Sequence, residues 1–219
     1  MKIFSKILGI LFHPLTIVLY SLLLLQLCNP YEFIIENERE KVVIFTLIGM
    51  LTVGFPVLAI ALIHFLEIMK GMAITKQQER IVPLILAAMF YLWLFINIRS
   101  NTYIPEIFIS IVLGATIAIF IAFFINNFSR IHLHSIGIGS LIMVIVVYML
   151  SFPSQQFPVK LWSLGTYVFD LSLFLIIAIL LGGILAFAAK QFHAYNNQDI
   201  YGGALVGVIS QVLAFMIIL

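Results

Sequence analysis

Charge is what this 219-residue chain has least of: 11 Lys and Arg and 9 Asp and Glu make up 9% of it, against 63% hydrophobic residues. A soluble domain carries about 25% charged residues because its surface faces water. A surface this poor in charge must face something apolar, so the composition predicts an integral membrane protein. The basic residues are scattered among connecting segments, which excludes the basic cluster expected of a nucleic-acid binder. Cys28 is the single cysteine, so an intrachain disulfide and a tetrahedral cysteine zinc site are both excluded. The sequence also shows no soluble domain, no low-complexity segment and no clear internal repeat. Its start, MKIFSKILGILFHPLTIVLYSLLLLQLC, has the basic beginning of a signal peptide but no small-residue cleavage pattern, and it reads as a retained first span.

Long apolar runs are plentiful. Stretches at about 7–28, 42–68, 82–98, 104–126, 133–151, 162–189 and 200–219 are long enough to cross ~30 Å of hydrocarbon as helices. The expected architecture is all-α, a polytopic bundle of about seven spans (six to seven) forming one integral membrane domain over residues 1–219. Helices are expected because unpaired backbone amides are costly in lipid, and no segment alternates as a barrel strand would. Seven spans place the N-terminus and the loops at 69–81, 127–132 and 190–199 on one face, called A, and 29–41, 99–103 and 152–161 on the other, B. Face A holds Lys2, Lys6, Lys70, Lys76, Arg80, Arg130 and Lys190; face B holds Arg39, Lys41, Arg99 and Lys160. Seven against four favours a cytoplasmic face A. If Lys76, Arg80, Arg130 and Lys190 serve a ligand, three remain against four and the orientation stays open. His13, His64, His132, His134 and His193 all fall at or near face A, as do Glu67, Glu79 and Asp199. That grouping points to a polar site there.

Three segments carry the candidate chemistry. In SRIHLHSIGIGS, residues 129–140, His134 opens the fifth span ahead of Ser135, Gly137 and Gly139. A helix N-terminus offers free N–H groups and partial positive charge, and Arg130 and His134 beside it make a phosphate cradle. The other reading is that the glycines serve close helix packing and the charges mark the membrane interface. TKQQERIVP, residues 75–83, supplies Lys76 and Arg80, a point charge and a forked donor for phosphate, with Pro83 suited to a first helical turn; an ordinary solvated loop is the alternative. KQFHAYNNQDIYGGALVG, residues 190–207, offers Lys190, His193, Tyr195 and Asp199. A carboxylate near an imidazole can set its tautomer and basicity, while Gly203 and Gly207 have the spacing of a helix contact. Asp170 reads as lying about eight residues inside the sixth span, toward face B, where a structural hydrogen bond is the expected role. His64 and Glu67, three apart, could share a metal with His132 or His134, although no spacing is diagnostic of one.

Taken in this order, the three segments resemble the type 2 phosphatidic acid phosphatase superfamily, in a divergent form of the kind found among Bacteroidetes membrane proteins, over residues 70–207. Arg80 matches the arginine of the first motif, with Pro83 in place of an adjacent proline, Ala73 at the lysine position and Lys76 near it. His134 matches the histidine of the second, where Ile131, His132 and Leu133 replace Pro-Ser-Gly. Asp199 matches the aspartate of the third, but Tyr195 stands at the nucleophilic histidine and Ala189 at the arginine, with Lys190 adjacent. The resemblance implies a phosphatase-like bundle in a bacterial inner membrane acting on a lipid phosphate or polyprenyl pyrophosphate without metal or cofactor. His193, two residues upstream of Tyr195, would be the nucleophile, Asp199 its partner and His134 the general acid. Lys76, Arg80, Arg130 and Lys190 would grip the phosphate, with His132, Tyr195 and Gly137 in secondary roles. A neutral phenol does not replace an imidazole as phosphoryl acceptor. The alternative is therefore an inactive relative, a lipid-binding or scaffolding subunit of a membrane complex or a homo-oligomer. A small transporter ranks last because only Asp170 approaches mid-membrane depth.

Overall fold

The computed structural model describes residues 13–35, 37–65, 80–161, 165–193 and 195–219. A 3-10 turn, Pro14–Thr16, opens helix α1, Ile17–Cys28. After a second 3-10 turn at Pro30–Glu32, α2 runs as Glu38–Gly49, a π-helical turn at Met50–Gly54, and Phe55–Phe65. Helices α3 (Ile81–Ile98), α4 (Glu106–Phe128) and α5 (Leu133–Ser151) follow. Strands β1 (Gln156–Leu161) and β2 (Gly165–Asp170) then form a hairpin before α6 (Leu171–His193) and α7 (Asn197–Ile218). Among the described residues six helices are long and apolar enough to cross a membrane, and the apolar helix Pro14–Cys28 is shorter. By length and composition this is an integral membrane protein of helical class.

The helix ends follow local chemistry. α2 starts at Glu38, four residues before the expected 42, because the Asn37 side chain caps it by accepting from Arg39 N at 3.0 Å. Its π turn stands just ahead of Pro56, whose ring cannot donate and crowds the carbonyl four residues back. Pro83 falls in the first turn of α3, where a missing N–H costs nothing.

One expected span needs correction. The run 162–189 is not a single helix: its first part belongs to the antiparallel hairpin, with Phe157 opposite Phe169 and Val159 opposite Tyr167. The segments QFPVKL and GTYVFD are rich in aromatic and β-branched residues, which suit a pleated ribbon. Continuous apolarity concealed that change of period. Asp170 correspondingly does not lie inside a span but at the hairpin–helix junction. Its Oδ1 accepts from Ser172 Oγ at 2.6 Å and Ser172 N at 2.8 Å, capping α6. These hydrogen bonds, the side-chain one foremost, hold its carboxyl below the usual range. The role is the structural hydrogen bond expected, at a different depth.

The most extensive helix contacts are those of α7 with α5 and α4. A Cβ on Gly139 would collide with the Ala204 carbonyl, and one on Gly207 with the Ile136 carbonyl, so α5 and α7 cross backbone to backbone. Such close approach supplies the packing that the hydrophobic effect does not provide between helices in lipid. On the α4 side, Gln211 lies over Gly114 and donates to the Ile111 carbonyl at 3.3 Å. α1 is tied to the bundle by two fully buried tyrosines: Tyr91 donates to Leu15 O at 3.0 Å and Tyr148 to Ser21 O at 2.9 Å.

Candidate functional site

Alternation of the chain brings the starts of α3, α5 and α7 to one end of the bundle. The starts of α3 and α5 carry no side-chain cap and leave N–H groups at the positive end of a helix dipole, whereas α7 is closed by a capping box. An acidic or neutral cap would complement that field. Here the residues at or just before the first turns are instead Arg80 for α3 and Arg130, His132 and His134 for α5. The arginine charges at these positions add to the positive helix ends instead of offsetting them, so the local electrostatics favours an anion between them.

Tyr195, just ahead of α7, is the hub. Its hydroxyl accepts from Arg80 Nη2 at 2.5 Å, while Arg80 Nη1 donates to the Ile131 carbonyl at 3.2 Å. The half-buried guanidinium is thus fixed at both nitrogens, and bonds to an ionised donor are stronger than neutral ones. The Arg130 guanidinium carbon stands 4.7 Å from the Tyr195 ring centre, a cation–π distance, and the edge of His132 meets the same ring at 4.6 Å. His132 is 4% exposed, stands at the position just before α5, and shares a hydrogen between Nδ1 and Ser135 Oγ at 2.8 Å. Its backbone N–H donates to the Asp199 carbonyl at 3.2 Å, which joins the start of α5 to that of α7. His134 follows at 5.5 Å from His132, and His13 at 5.7 Å from His134.

Arg80, Tyr195 and the three histidines, though not Arg130, border a cavity of about 330 Å³. Its described walls include His13, Arg80, His132, His134 and Tyr195 together with Ile60, Leu84, Ala87 and Ile119, and no carboxylate. A polar end of hydrogen-bond donors and an apolar remainder suit an amphiphile with an anionic head. Among the described residues no three His, Cys, Asp or Glu side chains gather closely enough to hold a metal ion.

Several expected site residues are elsewhere or have other partners. Asp199 sits in the first turn of α7 and closes a capping box, Oδ2 accepting from Asn196 N at 3.0 Å. Lys190 is exposed on α6. Gly137 does not open onto the cavity's polar end, because Pro14 and Ile17 fill the space in front of it. His193 ends α6, with its side chain outside the described part, and Lys76, Glu67 and the His64 side chain lie outside it as well. The reading from sequence grouped His13 with the other face-A histidines but gave it no role in the site. The available signal was its company: a histidine at the face-A end of an apolar segment, like His134. No protein-family model, curated protein or solved structure matches this chain.

Proposed function

We propose that the chain is a membrane-embedded, phosphatidic acid phosphatase-like protein that binds the phosphate headgroup of a lipid phosphate or polyprenyl pyrophosphate in this cavity. One observation carries the reading: Arg80, Arg130 and His132 meet at Tyr195, and Arg80, His132, His134 and His13 border one cavity with no carboxylate in its described walls. Phosphate oxygens would satisfy the guanidinium forks and the orphan helix amides together. The apolar walls would hold the first part of the lipid chain.

Binding is the better-supported part of the activity. The position matching the family's nucleophilic histidine is Tyr195, and its phenol is engaged with Arg80. Hydrolysis therefore requires another nucleophile, and His193 is the nearest candidate in sequence. Titration of the purified chain with dioctanoyl phosphatidic acid in detergent, by calorimetry, tests the binding. Arg80→Ala should weaken it by roughly 10-fold or more, since a hydrogen bond to a charged group contributes about 1.5–3 kcal/mol. Unchanged affinity would reject the site. Release of inorganic phosphate by the wild type, abolished by both His134→Ala and His193→Ala, would establish turnover in addition.

A further inference from the structure

The β1–β2 hairpin has one closed edge and one open edge. Leu171 N donates to Gln155 O at 2.9 Å, so the hydrogen-bonded pairs of the ladder are this one and every second pair from it, Phe157–Phe169 and Val159–Tyr167. The backbone groups of the alternate residues therefore point away from the facing strand: Gln156, Pro158 and Lys160 on β1, Thr166 and Val168 on β2. On β1 that outer row is blocked. Ser154 Oγ donates to Gln156 O at 3.0 Å and accepts from Gln156 N at 3.4 Å, Pro158 has no N–H, and Lys160 follows. Proline and lysine are residues that keep an edge strand from pairing. β2, GTYVFD, has neither, and no hydrogen bond from a described residue reaches the outward amides of Thr166 and Val168.

The side chains along the open edge also lack neighbours. On the face of the hairpin turned to the bundle, Phe157 is buried and Val159 and Phe169 pack on the core. Tyr167 shares that face yet is 48% exposed, and Val168 on the outer face is 65% exposed. A second copy of the same strand, run antiparallel with Val168 opposite Val168, covers both. The outward N–H and C=O of the two valines then exchange hydrogen bonds, and Tyr167 falls opposite Phe169 of the second copy as an aromatic cross-strand pair. The row that joins Lys160 to Thr166 continues to Asp170 of the second copy, so opposite charges share one row. We propose that the chain forms a two-fold dimer by pairing β2 with β2 of a second copy, which gives a four-stranded sheet in the order β1–β2–β2–β1. Its outer edges are the blocked edges of β1, so assembly stops at two.

Native mass spectrometry of the purified full chain in detergent should give twice the protomer mass of 24.7 kDa. Val168→Pro removes the outward N–H at the two-fold axis without removing a β1–β2 hydrogen bond, and should leave the monomer; Val168→Lys serves if that variant does not fold. Oxidative trapping tests the register separately. In a Cys28→Ala background, Val168→Cys should form a disulfide-linked dimer when native membranes are treated with copper–phenanthroline. Facing residues of such a pair lie about 5.5 Å apart at Cα, within disulfide range. Thr166→Cys should not, because its counterpart in the second copy is displaced by four residues along the strand, roughly 13 Å. A dimeric wild type, lost in the Val168 variant and trapped at 168 but not at 166, supports the pairing. A monomeric wild type overturns it. So does a dimer that survives the Val168 substitution, trapping that is equal at 166 and 168 or absent at 168, or a different protein found seated on β2.

Discussion

Tyr195 is the residue on which the site turns, because its hydroxyl holds Arg80 in place while its ring meets Arg130 and His132. Phenylalanine at 195 keeps the ring under Arg130 and beside His132 but removes the acceptor for Arg80. A hydrogen bond to a charged group contributes about 1.5–3 kcal/mol. Tyr195→Phe should therefore weaken phosphatidic acid binding by up to roughly 10- to 100-fold, with any remaining part of that loss seen as a lower melting temperature in detergent. Histidine at 195 tests the chemistry directly. If the phenol is what prevents turnover, Tyr195→His should release phosphate from phosphatidic acid where the wild type does not, and His134→Ala in the same background should abolish the release. No release from a folded Tyr195→His protein that still binds the lipid would place the block at another residue. His134 and Arg80 could be picked out from sequence because each is an ionisable residue at the opening of an apolar segment. The contacts of Tyr195 could not, because Arg80 is 115 residues away and nothing local relates them.

At the scale of elements, the crossing of α5 and α7 controls whether the site exists. His132 and His134 stand at the start of one helix, Tyr195 just ahead of the other, and the glycines let their backbones touch. A side chain at Gly207 would meet the Ile136 carbonyl and Ser140, which are backbone and neighbouring groups with little room to move. Gly207→Val should cost about 1–3 kcal/mol, the usual range for overpacking, and weaken lipid binding as the two starts separate. Gly202 has nothing within 4 Å of its absent Cβ. Gly202→Ala should leave binding intact and raise stability slightly, since alanine is the better helix former by up to about 1 kcal/mol. Thermal unfolding in detergent measures both, and a destabilised Gly202→Ala with an unaffected Gly207→Val would contradict this packing. The spacing of Gly203 and Gly207 announced a helix contact, though not which helix would fill it. The hairpin escaped notice because β1 falls in the connection before the apolar run 162–189 and β2 within its start, and neither Lys160 nor Asp170 marks the change from strand to helix.

For the molecule as a whole, the order of helices puts the starts of α3, α5 and α7 at one end and the β1–β2 hairpin at the other. That arrangement predicts opposite sidedness for single cysteines placed at Ser129, between α4 and α5, and at Ser154, ahead of β1. With Cys28 replaced by alanine, a membrane-impermeant thiol reagent applied to sealed right-side-out vesicles should label one of the two positions and not the other. Labelling of both from the same side would require a different threading. The result also orients the candidate site, which the balance of basic residues leaves open once the four assigned to a ligand are set aside.

Membrane insertion, helical class and most span positions were determined by the sequence itself. They depend on local composition: a long apolar run cannot leave its amides unpaired in lipid, whatever surrounds it. The caps at Asn37 and Asp170 are equally local, since each is set by groups within two residues. What only the tertiary structure decided is which polar groups share one space. Arg80 finds Tyr195, His132 finds Asp199, and His13 finds His134 through the close crossing of α5 and α7 and the seating of Pro14 against Gly137. These contacts join residues far apart along the chain, and their geometry depends on backbone approach distances set by glycine in three dimensions. For that reason a histidine at position 13 reads from sequence as one more interfacial residue, and in the folded protein forms one wall of the site.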